Sequence, residues 1–199
     1  MISPRAWIAE WAELGADCVV HSFAVVGRMP DTSPALARQP QRSARLKIGN
    51  RVKIGCHAVI YGGVEIGDDT LIGDFASIRE GTVIGERCVI GRYVAISYDC
   101  LIADDCRFQD HTVFIGSVGH GSFFGVGVTT SNDRRVDLVE YHHADPAPPR
   151  FGKRVMVGSG ATILAGVTIG DDAVIGAGAT VVKDVPAHTT VLGPAAKEV

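Results

Sequence analysis

Two histidines stand in an irregular segment of the chain, QDHTVFIGSVGHGSFFG at residues 109–125. An imidazole titrates near neutral pH, so His111 or His120 could act as a general base that takes a proton from an amine or a hydroxyl group. A structural role is the alternative for each. Asp110, beside the first histidine, and Glu80, farther up the chain, are carboxylates that could orient an amine without deprotonating it.

The elements that must position these groups follow a six-residue repeat. Isoleucine recurs at every sixth position from Ile48 to Ile102, Phe108 continues the series, and a small or β-branched residue follows four places after each. Neither the helical nor the strand period explains this spacing. A short strand followed by a sharp turn explains a period of six, and three such units make one coil of a triangular parallel β-helix. The sequence therefore predicts an all-β solenoid, with Cys88, Cys100 and Cys106 as small buried residues.

The same phase extends toward both ends of the chain. Near the N-terminus we favour the repeat over a helix, although Ser3-Pro4 resembles a helix start. The aliphatic positions in these end segments are Ile8, Leu14, Val20, Val26, Val157, Ile163, Ile169, Ile175 and Val181. Proline-rich residues 28–45 and 131–150 break the phase. We predict that both are excursion loops of a single β-helix domain spanning residues 1–199, in which irregular segments carry the function.

One edge of the predicted prism differs from the other two. Residues 18 apart stack on neighbouring coils, and on two edges the residue after the aliphatic is mostly glycine. On the third edge a polar stripe takes its place, formed by Tyr61, Arg79-Glu80 and Ser97-Tyr98. This stripe is either a solvated edge with a weak Arg79–Glu80 ion pair or a surface that faces a neighbouring subunit and helps to hold an acceptor.

Composition excludes several classes of protein. A net charge of −3 leaves no overall basic character for binding nucleic acid. Five cysteines without a CxxC pair argue against a disulfide framework. No apolar run approaches the roughly 20 residues of a membrane span, and no signal peptide opens the chain. We expect a soluble cytoplasmic protein that binds neither nucleic acid nor a membrane.

The repeat resembles that of the bacterial hexapeptide-repeat transferases, and the similarity covers nearly the whole chain. RFGKRVMVGSGATILAGVTIGDDAVIGAGATVVKDVP, residues 150–186, resembles the acetyl-CoA-binding coils of that family. FFGVGVTTSNDRR, residues 123–135, resembles a signature of members that acylate nucleotide-linked amino sugars. The closing GPAAK, residues 193–197, resembles the family's Gly-Asn-Pro-Ala-Lys ending, with Pro194 in place of the asparagine.

This resemblance implies a left-handed parallel β-helix and a homotrimer with active sites in the clefts between neighbouring β-helices. It also implies acyl transfer from coenzyme A to an amine or a hydroxyl group, with acetyl-CoA as co-substrate and no metal. Small residues match positions of the coenzyme-binding coils where bulk would block the pantetheine arm, and they are Gly158, Gly160, Gly176, Ala177 and Gly178. Two lysines could meet the phosphates of coenzyme A, and they are Lys183 and Lys197.

Candidate acceptor-binding residues cluster where the chain leaves the β-helix. Asp133 could accept a hydrogen bond from an amine and Arg134 could meet a phosphate, although Asn132-Asp133 also favours a plain turn. The arginines of the first loop could contact a nucleotide diphosphate, and a solvated loop is the alternative. The remaining candidates are Arg79, Tyr98, His142 and His143, and the loop arginines are Arg28, Arg38, Arg42 and Arg45.

We therefore expect acetyl transfer to the amino group of a nucleotide-linked amino sugar. An O-acetyltransferase acting on a sugar or antibiotic hydroxyl is the main alternative, and it would need a base. A γ-type carbonic anhydrase needs three histidine ligands on zinc, and no pair of histidines has the spacing of that family. A non-catalytic scaffold, the last alternative, would not bind coenzyme A.

Overall fold

The chain winds into a parallel β-helix of three sheets in a computed structural model that describes residues 1–36, 38–133 and 147–194. Arg134, His142, His143 and Lys197 lie outside the described residues. Every regular element in these ranges is a short strand, and successive strands belong to the first, second and third sheet in turn, except that the last strand skips the second sheet. The parallel β-helix predicted from the repeat is confirmed, and it is consistent with the left-handed form that the family resemblance implies.

The strands of each sheet pair in parallel with the strand one coil away. The first sheet contains β1 (Trp7–Ile8), β4 (Val25–Arg28), β7 (Val59–Tyr61), β10 (Ser77–Ile78), β13 (Ala95–Ile96), β16 (Val113–Phe114), β19 (Thr129–Thr130), β22 (Thr162–Ile163) and β25 (Thr180–Val181). The second contains β2 (Ala12–Leu14), β5 (Leu46–Ile48), β8 (Glu65–Ile66), β11 (Val83–Ile84), β14 (Leu101–Ile102), β17 (Ser117–Val118), β20 (Arg150–Phe151) and β23 (Thr168–Ile169). The third contains β3 (Val19–Val20), β6 (Lys53–Ile54), β9 (Leu71–Ile72), β12 (Val89–Ile90), β15 (Arg107–Phe108), β18 (Phe123–Phe124), β21 (Met156–Val157), β24 (Val174–Ile175) and β26 (Thr190–Val191).

The core is the interior of the prism, and the repeat residues fill it. The last residue of almost every two-residue strand is buried, and the residue before most strands, usually a small one, is buried as well. Cys88, Cys100 and Cys106 are fully buried in these small positions, as predicted. The N-terminal segment forms β1 to β4 and no helix, so the repeat is the correct interpretation there.

The predicted slip in phase is a turn that is two residues short. Val118 follows Phe114 after four residues instead of six, so Leu101 pairs with Ser117. Larger side chains fill the prism around this turn, where Phe108 stacks on Phe124 with ring centroids 4.5 Å apart. Phe114 and Phe151 pack edge-on or tilted against them. Aromatic bulk therefore replaces isoleucine where the coil changes length.

The Gly-Asp pairs of the repeat hold neighbouring coils together. Asp68 Oδ1 accepts a hydrogen bond from the backbone N–H of Asn50 at 2.8 Å, one coil earlier. A Cβ atom on Gly49 would collide with that carboxylate, so the preceding coil must have glycine there. Asp104 Oδ1 accepts the corresponding hydrogen bond from the backbone N–H of Glu86, and a Cβ atom on Gly85 would collide with that oxygen. Glycine and aspartate are thus required together, one coil apart.

Charges of alternating sign follow the edge between the second and third sheets, which we call the ionic edge. Three arginines each make two hydrogen bonds to an aspartate one coil later, at 2.6 to 2.9 Å, in the pairs Arg51–Asp69, Arg87–Asp105 and Arg154–Asp172. All six residues have positive φ, which directs their side chains along the edge. We call this series the ion-pair ladder.

The ion-pair ladder makes stability depend on pH. Hydrogen bonds from the paired arginines hold the pKa of Asp69, Asp105 and Asp172 below the usual value. Because these folded-state pKa values lie below the unfolded value of about 3.9, the stabilisation is complete above that pH and is lost as the pH falls further. Thermal unfolding followed by circular dichroism should therefore give a steady Tm near neutrality and a falling Tm below about pH 4. A triple variant with Arg51, Arg87 and Arg154 changed to alanine should show a shallower fall, and an equal fall would contradict this prediction.

Candidate functional site

The irregular segments of the chain all leave the β-helix at the edge between the first and second sheets, which we call the loop edge. Residues 28–45 connect β4 to β5, and residues 131–149 connect β19 to β20. The shortened turn at Ile115-Gly116 connects β16 to β17. The predicted polar stripe also lies here, since Arg79-Glu80 follows β10. One edge of the prism therefore collects the irregular backbone and the polar side chains.

The carboxylate of Glu80 is buried in the loop edge, with 1% of its side chain exposed. Oε2 accepts a hydrogen bond from Arg79 Nε at 2.8 Å, and Oε1 accepts bonds from Arg79 Nη2 at 3.1 Å and Arg38 Nη1 at 3.2 Å. Burial alone raises the pKa of this carboxyl group, but the two arginines outweigh it and hold the pKa of Glu80 below its usual value. A solvated Arg79–Glu80 pair is therefore excluded, because the first loop covers the carboxylate.

Removal of this carboxylate should destabilise the protein. Glu80→Ala leaves two guanidinium groups facing each other, and breaking a buried ion pair typically costs several kcal/mol. Arg38 and Arg79 are each about one-third exposed and can turn toward water, so we expect a smaller loss of about 2 kcal/mol in urea unfolding. Trypsin should also cut within residues 28–45 faster than in the wild type. Glu80→Gln keeps an acceptor and should lose less, and an E80A variant as stable as the wild type would refute this role.

Arg38 links the first loop to two coils of the loop edge. Besides Glu80, its guanidinium contacts Asp99, with Nη2 2.7 Å from Oδ2. It also lies over the ring of Tyr98, 3.9 Å from the centroid, at cation–π distance. The Tyr98 hydroxyl accepts a hydrogen bond from Asn132 Nδ2 at 2.9 Å. These contacts bring together both loops and the polar stripe.

A pocket of about 230 Å³ opens between these groups. We call it the edge pocket, and the residues that line it are Arg38, Tyr98, Asp99, Ile115, Gly116, Asn132 and Pro148. Tyr98 and Asn132 were predicted as acceptor-binding residues, and the structure brings them together here. Asp133 follows Asn132 where the second loop begins and is partly buried. Glu80 and Arg79 lie behind the pocket, joined to it through Arg38.

The edge between the third and first sheets carries a stack of five rings, and we call it the aromatic edge. The rings of Phe23, His57, Phe75, Tyr93 and His111 lie face to face, with successive centroids 4.8 to 5.0 Å apart. All five residues have positive φ, so the backbone directs every ring outward in the same way. We call this stack the aromatic ladder, and its last ring is the predicted base His111.

In the coils that follow the aromatic ladder, glycine occupies the position that holds a ring in the earlier coils. Gly127, Gly160 and Gly178 have φ of 66° to 69°, like the ring positions, and an added Cβ on any of them would meet no atom within 4 Å. Each donates its N–H to the preceding coil as the ring residues do, and Gly127 bonds to the carbonyl of Asp110. We call these three residues the glycine column. It lies directly below His111, and the space outside these glycines is open.

Asp110 lies next to His111 on the aromatic edge, where Arg92 engages it. Its Oδ1 accepts the backbone N–H of Arg92 at 2.8 Å, and its Oδ2 accepts Nε and Nη2 of the same residue at 3.0 and 2.6 Å. The hydrogen bonds from Arg92 hold the pKa of Asp110 below its usual value. The geometry therefore gives Asp110 a role in joining two coils.

The other predicted residues lie on the ionic edge, on the aromatic edge and at the C-terminal end of the β-helix. His120 is exposed on the ionic edge, with Nδ1 3.4 Å from Asp105 Oδ2. Gly158, Gly176 and Ala177 belong to the same turns as the glycine column. Lys183 lines a cleft of about 450 Å³ at the C-terminal end, formed by residues 178–185 and 191–194. The two predicted histidines thus lie on different edges.

Asp99 is the residue of the edge pocket that the sequence reasoning missed. Positions 63, 81 and 99 are one coil apart and hold glycine, glycine and aspartate. All three have positive φ, which a non-glycine residue adopts less readily. Comparing residues 18 apart at this position of the turn would have identified the exception.

The sequence matches the family described as "Bacterial transferase hexapeptide (six repeats)" over residues 46–80 and 148–183. Two segments of the chain therefore carry the hexapeptide repeat of that family. Both matched segments of this hexapeptide-repeat protein consist of regular coils. The loop edge segments 28–45 and 131–147 fall outside them.

One relative of this hexapeptide-repeat protein is a serine acetyltransferase of Helicobacter pylori. It is 34% identical over 95 residues, which cover 41% of this chain and 56% of that enzyme. The first curated relatives are matched over only 17% to 56% of their own length.

Two solved structures share the fold of this hexapeptide-repeat protein. A UDP-N-acetylglucosamine acyltransferase from Campylobacter jejuni has a TM-score of 0.63 and 20% identity, covering 93% of this chain and 68% of that one. A mutant of AntD, an N-acyltransferase from Bacillus cereus in complex with dTDP and coenzyme A, has a TM-score of 0.52 and 21% identity, covering 73% and 78%.

Within residues 1–36, 38–133 and 147–194, no three His, Cys, Asp or Glu side chains are grouped so that they could hold a metal ion. The same part of the chain has no helix of the length and apolar character needed to cross a membrane.

Proposed function

We propose that this hexapeptide-repeat protein is an acyl-CoA-dependent acyltransferase that moves an acetyl group from acetyl-CoA to the amino group of a nucleotide-linked amino sugar. The acetyl donor is suggested by the serine acetyltransferase relative. The acceptor class is suggested by similarity to a UDP-N-acetylglucosamine acyltransferase and to an N-acyltransferase that binds dTDP and coenzyme A.

The proposal rests on one observation: the first sheet has a different candidate binding surface at each of its two edges. The loop edge offers the edge pocket, with a carboxylate, an amide and a hydroxyl around a small volume. The aromatic edge offers open space over the glycine column, below an imidazole. An acyltransferase needs one site for an acceptor and a channel for the pantetheine arm, and these two surfaces match those needs.

In this proposal the donor lies along the aromatic edge. Gly160 and Gly178 leave room for an extended arm beside backbone groups, whereas the next coil packs closely against Gly158 and Gly176. Ala177 lies in the same turn as Gly176 and Gly178. Lys183 in the C-terminal cleft, and Lys197 beyond the described residues, would meet the phosphates of coenzyme A. His111, directly above the glycine column, would then face the thioester.

The chemistry follows from this placement. The nitrogen of the neutral amine attacks the thioester carbonyl, the C–N bond forms and the C–S bond breaks. His111 takes the proton that the nitrogen loses and passes it to the leaving thiolate, which becomes free coenzyme A. His120 has no part in this step, because it lies on the ionic edge.

The proposal requires two copies of the chain at each site. Within one chain the edge pocket and the glycine column are separated by the width of the first sheet. A homotrimer would bring the loop edge of one copy to the aromatic edge of the next. The first residue of each of the nine strands in the first sheet is uncharged, which suits such packing: Trp7, Val25, Val59, Ser77, Ala95, Val113, Thr129, Thr162 and Thr180.

A thiol-release assay with acetyl-CoA tests the function directly. The acceptors should be nucleotide-linked amino sugars, plain amino sugars and hydroxylated antibiotics, with light scattering to measure the oligomer. We expect release with a nucleotide-linked amine, from a trimer. Turnover of hydroxyl acceptors alone would favour the O-acetyltransferase, and absence of acetyl-CoA binding in calorimetry would favour the scaffold.

A further inference from the structure

The loop edge has one residue whose backbone conformation its neighbours do not explain. Among the described residues, the positions of positive φ on this edge are Gly27, Gly63, Gly81, Gly116 and Gly166, and the exception is Asp99 with a φ of 54°. Non-glycine residues at positive φ are common on the other two edges, where their side chains stack in ladders. Asp99 has Gly81 one coil before it, so no ladder accounts for its conformation.

The surroundings of Asp99 are adapted to its carboxylate. A Cβ atom on Gly81 would overlap Asp99 Oδ1, so glycine at 81 provides the space that this oxygen occupies. Arg38 Nη2 holds the other oxygen at 2.7 Å and reaches across from the first loop. Both contacts direct the side chain of Asp99 along the wall of the edge pocket.

The charges around the pocket determine which kind of ligand it suits. The positive charges of Arg38 and Arg79 are balanced by the negative charges of Glu80 and Asp99, so the net charge of these four groups is zero. Glu80 is buried, whereas 53% of the Asp99 side chain is exposed. The guanidinium of Arg38 uses both of its terminal nitrogens on the two carboxylates. Asp99 is therefore the most exposed of the four charged groups, and its carboxylate binds a cationic donor and repels a phosphate.

We infer that Asp99 binds the protonated amino group of the acceptor and so selects an amine over a hydroxyl group. The inference rests on the proposed function, and it identifies which part of the acceptor enters the edge pocket. The bound ammonium group must lose one proton to solvent before its nitrogen attacks the thioester, and the second proton leaves during the transfer. An alcohol carries no charge and gains no comparable interaction.

A binding experiment tests Asp99 without requiring turnover. Saturation-transfer NMR on the full-length protein, with glucosamine and glucose as probes at slightly acidic pH, should give a stronger signal for glucosamine. The preference should fall about tenfold in Asp99→Asn, which keeps the shape and removes the charge. Equal signals for the two sugars in the wild type, or a preference that D99N retains, would overturn the inference.

Asp69→Asn is the matched control. Asp69 also has positive φ and also pairs with an arginine, but it lies on the ionic edge. D69N should keep the preference for glucosamine, and a loss equal to that in D99N would also overturn the inference.

A kinetic readout separates this inference from the proposed function. With an amino-sugar acceptor that the wild type acetylates, D99N should raise the KM of the acceptor about tenfold and leave the KM of acetyl-CoA unchanged. If the wild type releases no thiol with any acceptor, the proposed function fails, and the NMR comparison still decides whether Asp99 binds an ammonium group.

Discussion

Replacing His111 with phenylalanine is expected to lower kcat by about a hundredfold or more, because a general base contributes at least that much to proton transfer. The variant keeps the aromatic ladder, since phenylalanine already stacks in it at positions 23 and 75. The fold and the KM of acetyl-CoA should therefore change little. Steady-state thiol release with an amino-sugar acceptor, together with a thermal melt, measures both quantities.

The aromatic ladder provides a matched control for this variant. His57→Phe makes the same substitution, at the same kind of position, between two rings of the same stack. It lies three coils before His111, away from the glycine column, and its kcat should match that of the wild type. If His111→Phe also keeps wild-type kcat, then His111 is only a rung of the ladder, and the acceptor amine reacts without a protein base.

Replacing Gly160 with tyrosine is the second change with a large expected effect. The position has the same positive φ as Tyr93, and nothing lies within 4 Å of an added Cβ, so the side chain fits without a clash. The conformational cost is roughly 1 kcal/mol. The ring would occupy the groove proposed for the pantetheine arm. We expect kcat/KM for acetyl-CoA to fall about a hundredfold, equivalent to about 2.7 kcal/mol.

Gly121→Tyr separates steric blocking from backbone strain. Gly121 also has positive φ but lies on the ionic edge, where an added Cβ would make only an ordinary contact with Arg154. This variant should melt at about the same temperature as Gly160→Tyr and keep full affinity for acetyl-CoA in calorimetry. If both variants bind acetyl-CoA normally, the donor does not use the glycine column.

The sequence predicted the regular part of the molecule because each coil repeats the same local requirement. A buried isoleucine every six residues and a Gly-Asp pair one coil apart are short-range patterns, and they correctly predicted the β-helix and the polar stripe. The burial of Glu80 depends on Arg38, which is 42 residues away in a loop without a period. No pattern in the sequence encodes that contact.

The site was harder to predict for the same reason. Asp99 occupies a turn, where aspartate is unremarkable, and its importance emerges only when Gly81 and Arg38 are seen around it. The placement of His111 above the glycine column depends on the shortened turn, which brings Gly127 below it after sixteen residues instead of eighteen. A strict period would have compared the wrong residues.

The alternating charges of the ion-pair ladder also affect the register in which the coils dock during folding. Adjacent coils have nearly interchangeable interiors, so a coil that docked one place too far along would still bury its isoleucines. On the ionic edge that error would place Arg51 against Arg87 and Asp69 against Asp105, and like charges repel. The ladder thus distinguishes odd coils from even ones. Misdocked intermediates should accumulate during refolding at high salt, where that distinction is screened.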